Sequence, residues 1–121
     1  MIAGPHPLAY LRPQLAARGV LTVAEAMELP HRAPVAIAGL NIRPHRPPTR
    51  SGKKVLFTTV EDETDYCQVI VFGKAIEDTT ATFLLNPAVL VRGTVKRSAK
   101  EARASILVTA ARALPVGSYG D

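Results

Sequence analysis

Five short segments rich in branched and apolar residues follow Pro34, and a single helical segment separates the third from the fourth. The predicted strands cover residues 35–42, 54–61, 66–72, 88–96 and 104–111, and the predicted helix covers residues 74–86. Only the acidic turn, residues 62–65, separates the second strand from the third, which predicts a hairpin. Gly39 and Gly93 lie inside predicted strands, where glycine is typical of a bulge or tight bend. This order of elements is that of a five-stranded OB barrel, a mainly β fold, although other small mixed folds share the count.

Residues 1–33 depart from this pattern because prolines punctuate two short helical segments. Apolar residues recur at helical spacing at Leu8, Leu11, Leu15 and Ala16. Pro13 is expected to lie near the start of this helix or to break it, and Gly19 is expected to end it. Thr22 and Glu25 have the spacing of a capping box, which predicts a second short helix. Helices this short are not stable alone, so we expect the extension to pack on the barrel.

The length of 121 residues is sufficient for one domain with a core and too short for a polymerase or kinase. We divide the chain into a helical N-terminal extension (1–33), the barrel domain (34–114) and a flexible tail (115–121). No apolar run approaches the roughly 18 residues that a membrane span requires, so no membrane contact is expected. The N-terminus lacks the features of a secretory signal, and a single cysteine excludes an internal disulfide, which together predict a cytoplasmic protein.

Basic residues are concentrated in two stretches that the predicted barrel places in loops. Residues 34–60 contain five basic residues and no acid, whereas residues 61–80 contain six acids and one lysine. An OB barrel binds oligonucleotides between the loop joining its first two strands and the loop joining its last two. The predicted phosphate contacts are Arg43, Arg46, Arg50, Lys53 and Lys54 in the first loop, and Arg97, Lys100 and Arg103 in the second. The alternative is that these loops are simply solvated and keep the protein soluble.

Side-chain alternation along the second and third strands predicts which residues face a ligand lying between these loops. We place Phe57, Tyr66 and Gln68 on the outer face because this set contains the aromatic and polar side chains. A base stacked on Phe57 or Tyr66 would gain about 1–3 kcal/mol without sequence preference. Gln68 can donate to and accept from a base edge. Periodicity alone leaves open that Phe57 is a core aromatic.

The remaining reactive side chains do not form a recognisable catalytic or metal site. Glu61, Asp62 and Glu63 are adjacent along a turn, where side chains mostly point apart, and Asp62 is expected to cap the hairpin. The histidines are scattered, and with one cysteine they match no zinc spacing. Cys67, predicted to face inward, is expected to be a small core residue. We therefore predict no catalytic residue, metal ligand or cofactor.

Three stretches of the sequence carry a resemblance to a known family. They are Val35-Ala-Ile-Ala-Gly-Leu-Asn-Ile-Arg43, the loop residues Arg46-Pro47, Thr49 and Gly52, and Phe57-Thr-Thr-Val-Glu-Asp-Glu-Thr64. These stretches resemble the OB domain of bacterial DNA polymerase III alpha subunits, in particular the error-prone branch, and the resemblance extends over residues 6–112. A broader similarity to the anticodon-binding OB domains of class II aminoacyl-tRNA synthetases implies that Phe57 stacks on a base and that Gln68 contacts one.

The resemblance is limited in what it implies. Nothing in the chain resembles the polymerase palm, so no polymerisation is expected, and Asp65 replaces a family glycine, so the turn is expected to be rearranged. The combined prediction is a non-catalytic OB module that binds single-stranded DNA, with RNA as an alternative ligand, in a replication or error-prone repair context. The other interpretation is a protein–protein interaction module that docks a polymerase or accessory subunit through the same face or an edge strand.

Overall fold

The computed structural model describes residues 6–114, so the predicted flexible tail (115–121) lies outside the described residues. The strands are Pro34–His45 (β1), Val55–Glu61 (β2), Tyr66–Phe72 (β3), Ala88–Lys96 (β4) and Ser105–Ala113 (β5). The helices are Pro7–Ala17 (α1), Val23–Ala26 (α2) and Lys74–Leu85 (α3). No helix within the described range is both long and apolar enough to cross a membrane.

The five strands close into a barrel in the order β1-β2-β3-β5-β4. Four of the strand pairings are antiparallel, whereas β3 and β5 run parallel. This β3–β5 seam has the register pairs Gln68–Ser105, Val69–Ile106 and Ile70–Leu107. The predicted OB barrel with one helix between the third and fourth strands is confirmed. Each of the five strands pairs with two neighbours, so none of them is unpaired along a whole side. Docking of a partner through an edge strand stays a prediction.

Alternating side chains of the strands fill the inside of the barrel. In β2, Leu56, Thr58 and Val60 are buried and the residues between them are half-buried. The hydroxyl of Thr58 lies 2.6 Å from Asn41 Oδ1 and 3.0 Å from the carbonyl oxygen of Ile42, so this buried polar group is satisfied. The helix between the third and fourth strands contributes to the same core through its buried apolar side chains.

The N-terminal extension packs on the outer face of β1 and β4. The buried contacts join Leu8, Leu15 and Val20 to Ala36, Ala38 and Leu90. Thr22 and Glu25 form the predicted capping box at the start of α2. Pro13 lies inside α1, so the expectation that it starts or breaks the helix is wrong. The buried leucines on both sides of Pro13 hold the helix against the strands, which offsets the hydrogen bond that proline cannot donate.

The first strand is longer than predicted and ends in an irregularity. It continues to His45, and its register against β2 shifts between Ile42 and His45. Arg43 has a φ of 55°, in the left-handed region, where it redirects the strand. Arg43 therefore belongs to β1, whereas the prolines that follow it had led us to place it in the loop between the first two strands. The loop that remains, residues 46–54, is called L12 below.

Candidate nucleic-acid interface

The outer face of β2 and β3 consists of four cross-strand pairs. They are Val55–Phe72, Phe57–Ile70, Thr59–Gln68 and Glu61–Tyr66. The structure therefore places Phe57, Tyr66 and Gln68 on this face, where alternation predicted them. Phe57 is half-buried, whereas Tyr66 and Gln68 are exposed. Their contact with nucleic acid stays a prediction.

His45 stacks on Phe57, a contact that the sequence analysis did not predict. The two ring centroids are 5.8 Å apart, with an interplanar angle of 25°. His45 is the more exposed of the two, so the imidazole forms the outer ring of the stack. Its position opposite Phe57 depends on the register shift after Ile42, which has no clear signal in the sequence. A flat ligand approaching this end of the face therefore meets two stacked rings.

The ring of Tyr66 is already occupied, because Arg103 lies over it. The guanidinium carbon of Arg103 is 4.6 Å from the ring centroid, within the range of a cation–π contact. Arg103 also pairs with Asp65 at 3.1 Å and donates a hydrogen bond to the carbonyl oxygen of Tyr66. The sequence analysis predicted that Tyr66 stacks on a base and that Arg103 contacts a phosphate. In the structure, the two residues contact each other through the ring of Tyr66 and its carbonyl oxygen.

Asp65, at the position where the resemblance implies a glycine, gives the acidic turn its local contacts. It does not adopt a positive φ. Its carboxylate accepts a hydrogen bond from the backbone N–H of Tyr66 at 2.8 Å, and it pairs with Arg103. These contacts, the Tyr66 hydrogen bond foremost, hold the pKa of Asp65 below its ordinary value. Asp65 thus provides an anchor for Arg103.

Arg97 holds the N-terminal extension against the loop between β4 and β5, residues 97–104, called L45 below. Its guanidinium donates to the carbonyl oxygen of Leu29 at 2.7 Å and to that of Met27. Its backbone N–H donates to His31 Nδ1 at 3.0 Å. L45 is therefore less available to phosphates than its charge suggested. Of its three predicted phosphate contacts, only the side chain of Lys100 has no partner among the described residues.

The cations of the first cluster remain unpaired. We call the four cations of L12, together with Arg43 at the end of β1, the L12 cations: Arg43, Arg46, Arg50, Lys53 and Lys54. All five are exposed, and the described part of the chain offers none of them an ion pair. The loop itself is shaped by Thr49, whose hydroxyl donates to the carbonyl oxygen of Lys53 at 2.7 Å. Five unpaired positive charges thus lie in or next to the segment that follows His45.

Asp62 organises the acidic turn and the start of α2. It is buried, and one carboxylate oxygen accepts from the backbone N–H groups of Thr64 at 2.8 Å and Asp65 at 3.1 Å. The other oxygen accepts from the backbone N–H of Val23 at 2.8 Å. The expectation that Asp62 caps the hairpin is confirmed, and the same carboxylate also caps α2.

Glu63 and Arg12 form a two-pronged ion pair across the acidic turn. Arg12 Nε lies 2.7 Å from Glu63 Oε2, and Arg12 Nη2 lies 2.8 Å from Glu63 Oε1. Arg12 also reaches Asp62 at 3.1 Å. These hydrogen bonds lower the pKa of Glu63 and raise that of Arg12. The turn carboxylates are used in joining the extension to the barrel, and residues 6–114 contain no group of three or more side chains suited to a metal ion.

Cys67 is a core residue, as predicted. Its side chain is 1% exposed on the inner face of β3. Burial raises the pKa of its thiol to about 12, so the thiolate needed for nucleophilic attack is scarce at neutral pH.

Comparison with known proteins agrees with this architecture. The model of the OB-fold nucleic acid binding domain family, of the tRNA anti-codon type, matches residues 37–114. An error-prone DNA polymerase of Anaeromyxobacter dehalogenans (strain 2CP-C) is 39% identical over 95 residues, which are 78% of this chain and 8% of that relative. The chain therefore spans a small part of the relative's length. The resemblance to the OB domain of this polymerase branch is confirmed.

Solved structures share the fold at low sequence identity. Aspartyl tRNA synthetase from Entamoeba histolytica has a TM-score of 0.62 at 15% identity, over 78% of this chain and 21% of that one. The SSB domain of a Synechococcus protein has a TM-score of 0.57 at 13% identity, over 70% of this chain and 99% of that one. Identities this low establish the shared fold and nothing more specific.

Proposed function

Because the chain belongs to the OB-fold nucleic acid binding domain family, we propose that it is a non-catalytic module that binds single-stranded DNA across the outer face of β2 and β3. The observation that carries the proposal is the position of five unpaired cations beside the stacked rings of His45 and Phe57. Unpaired cations attract phosphates, and stacked rings accept bases of any sequence. A single strand offers both groups at once, whereas a duplex keeps its bases stacked inside.

The proposed binding mode follows the order of groups along this face. The L12 cations contact phosphates at one end, where a base stacks on the His45–Phe57 pair. Gln68, exposed near the centre of the face, contacts the edge of a neighbouring base. At the far end, Lys100 contributes charge more readily than Arg97 or Arg103, since those two already have protein partners. RNA presents the same phosphates and bases, so it is the alternative ligand.

The first test measures how binding depends on salt. If the five L12 cations each neutralise one phosphate, log affinity should fall against log salt with a slope of about −3.5 for a single strand. Fluorescence anisotropy of labelled oligo-dT, titrated from low to moderate salt, measures this slope. Unlabelled duplex DNA and an oligo-rU strand serve as competitors. Absence of saturable binding at low salt, or full competition by the duplex, would contradict the proposal.

The second test removes the inner ring of the His45–Phe57 pair without changing charge. Phe57→Ala is expected to weaken oligo-dT binding by about 1–3 kcal/mol, because a base loses one of the two rings that form its aromatic partner. The salt slope should stay unchanged, since no cation is lost. Leu85→Ala, a matched truncation of an exposed side chain on α3, should leave both quantities unchanged. Equal affinity for the Phe57 variant and the parent protein would refute the stacking role.

The polymerase relatives support a more specific context for this binding. The aligned region forms 8% of an error-prone DNA polymerase, so we infer that the domain holds a template strand in replication or error-prone repair. A primed template with a single-stranded overhang should then bind at least as well as oligo-dT of the overhang's length. Exclusion of the domain from overhangs next to a duplex end would argue against this context.

A further inference from the structure

A second basic surface lies on the outer face of β4 and β5, across the barrel from β2 and β3. Arg92 of β4 and Arg112 of β5 are exposed on this face, and Arg112 pairs in register with Leu90. Arg92 pairs with Ala110, two residues further along β4. Diagonal neighbours of this kind lie about 7–8 Å apart, which is within reach of long side chains. Two guanidinium groups therefore project side by side from one sheet face.

These arginines border a groove with an apolar floor. Two adjoining hollows of ≈ 380 and ≈ 390 Å³ share Leu90 and Arg112 in their walls. The second hollow continues under α1 and brings in a third cation, Arg18. The apolar lining comes from Leu11, Leu15, Leu90, Ala110, Ala111, Ala113 and Leu114. We call this surface the β4–β5 groove.

The chemistry of the groove differs from that of the β2–β3 face. Among residues 6–114, neither acidic nor aromatic side chains line the two hollows. Among the described residues, Arg18, Arg92 and Arg112 take part in no ion pair. The groove thus has unpaired positive charge but lacks the aromatic surface on which single-stranded bases stack. Its floor instead matches aliphatic side chains.

We propose that the β4–β5 groove docks an acidic amphipathic peptide segment of a partner protein. Arginine guanidinium groups bind carboxylates through paired hydrogen bonds, and three of them border one apolar strip. A segment that alternates carboxylate and leucine-like side chains satisfies both features of the groove. The groove and the L12 cations lie on different strands and loops, so peptide and single-stranded DNA can bind at the same time.

The test uses a fluorescein-labelled synthetic peptide in which Asp alternates with Leu, and the same peptide with Asn in place of Asp. The acidic peptide should bind saturably to the full chain, and the Asn peptide should bind at least tenfold more weakly. R92E/R112E should weaken binding of the acidic peptide by a factor of ten or more. R92K/R112K keeps the charge but loses the paired hydrogen bonds of arginine. Its affinity for the acidic peptide should lie between that of the parent protein and that of R92E/R112E. Thermal unfolding of each variant verifies that it folds.

A matched double variant separates the groove from general attraction to a basic protein. R43E/R50E makes the same charge change among the L12 cations, and it should change peptide affinity less than twofold. Oligo-dT binding should respond in the opposite way, falling with R43E/R50E and staying nearly constant with R92E/R112E. Equal loss of peptide binding in both double variants would overturn the proposal, as would loss of oligo-dT binding from R92E/R112E. Failure of oligo-dT to bind at all would refute the proposed function and leave the peptide result standing.

Discussion

At the scale of single residues, Gly93 leaves no room for a side chain next to β5. A Cβ atom placed on Gly93 would lie 1.9 Å from the carbonyl oxygen of Leu107 in β5. The register of β4 against β5 shifts between Arg92 and Gly93, so the bulge expected of this glycine is present. The absence of a side chain at this position allows the two strands to stay paired across the shift.

Gly93→Ala should therefore destabilise the protein through steric overlap, by about 1–3 kcal/mol or more. Gly52 provides a comparison, since it has a positive φ of 76° but open space around its Cα. Gly52→Ala should cost only about 1 kcal/mol, from backbone strain. Urea unfolding of the two variants measures both losses. Equal losses would contradict the overlap with Leu107, because Gly93 has no positive φ that would itself favour glycine.

At the scale of elements, the N-terminal extension is joined to the barrel by a few polar contacts as well as by apolar packing. Arg12 of α1 pairs with Glu63 and Asp62 in the acidic turn. Asp62 in turn accepts a hydrogen bond from the first residue of α2. One turn between β2 and β3 therefore orients both helices of the extension.

Arg12→Ala should lower the free energy of unfolding at neutral pH by about 1.5–3 kcal/mol, because charged hydrogen bonds are lost. The pKa of Glu63 is lowered in the folded state, so its stabilising contribution is complete above its ordinary pKa of about 4.3. That contribution disappears as the pH falls through the lowered pKa. The difference between the variant and the parent protein should consequently shrink in acid.

Urea unfolding at neutral and acidic pH measures this dependence. Arg18→Ala is the control, since Arg18 lies at the end of the same helix and has no ion pair among residues 6–114. Its effect on stability should be small at both pH values. A constant difference between Arg12→Ala and the parent protein across the pH range would contradict the role assigned to Glu63.

At the scale of the whole molecule, the β3–β5 seam is the shortest pairing in the barrel. It has three register pairs, whereas β1 and β4 share seven. Fewer pairings make local opening easier, so we expect this seam to open before the rest of the barrel unfolds. Cys67, buried on β3 next to the seam, is a natural probe of such opening.

Labelling of Cys67 with a thiol reagent under native conditions should report an opening free energy at least about 1 kcal/mol below that of global unfolding. The control moves the thiol by combining Cys67→Ala with Val91→Cys. Val91 is buried in β4, which pairs on both sides, with β1 and β5. Its labelling should follow global unfolding. Identical opening free energies at the two positions would mean that the barrel opens as one unit.

The strands were predictable from sequence because their signal is local. Alternation in β2 and β3 placed Phe57 and Gln68 on the outer face, and the order of elements indicated the barrel. The contacts that decide which charges are free are not local. Arg97 reaches Leu29 across 68 residues, and Arg103 reaches Tyr66 across 37. No pattern in the sequence of L45 reveals these partners, so its cations looked as free as those of L12.

Closure of the barrel also affects how copies of the domain meet at high concentration. Exposed strand edges act as templates for aggregation, and in the closed ring of β1 to β5 every strand has a neighbour on both sides. The seam between β3 and β5 is where an edge would first become exposed, and it would uncover the branched residues Val69 and Val71. Aggregation on heating should therefore begin with β3 pairing to β3 or β5 of a second copy, well before the rest of the barrel has lost its structure.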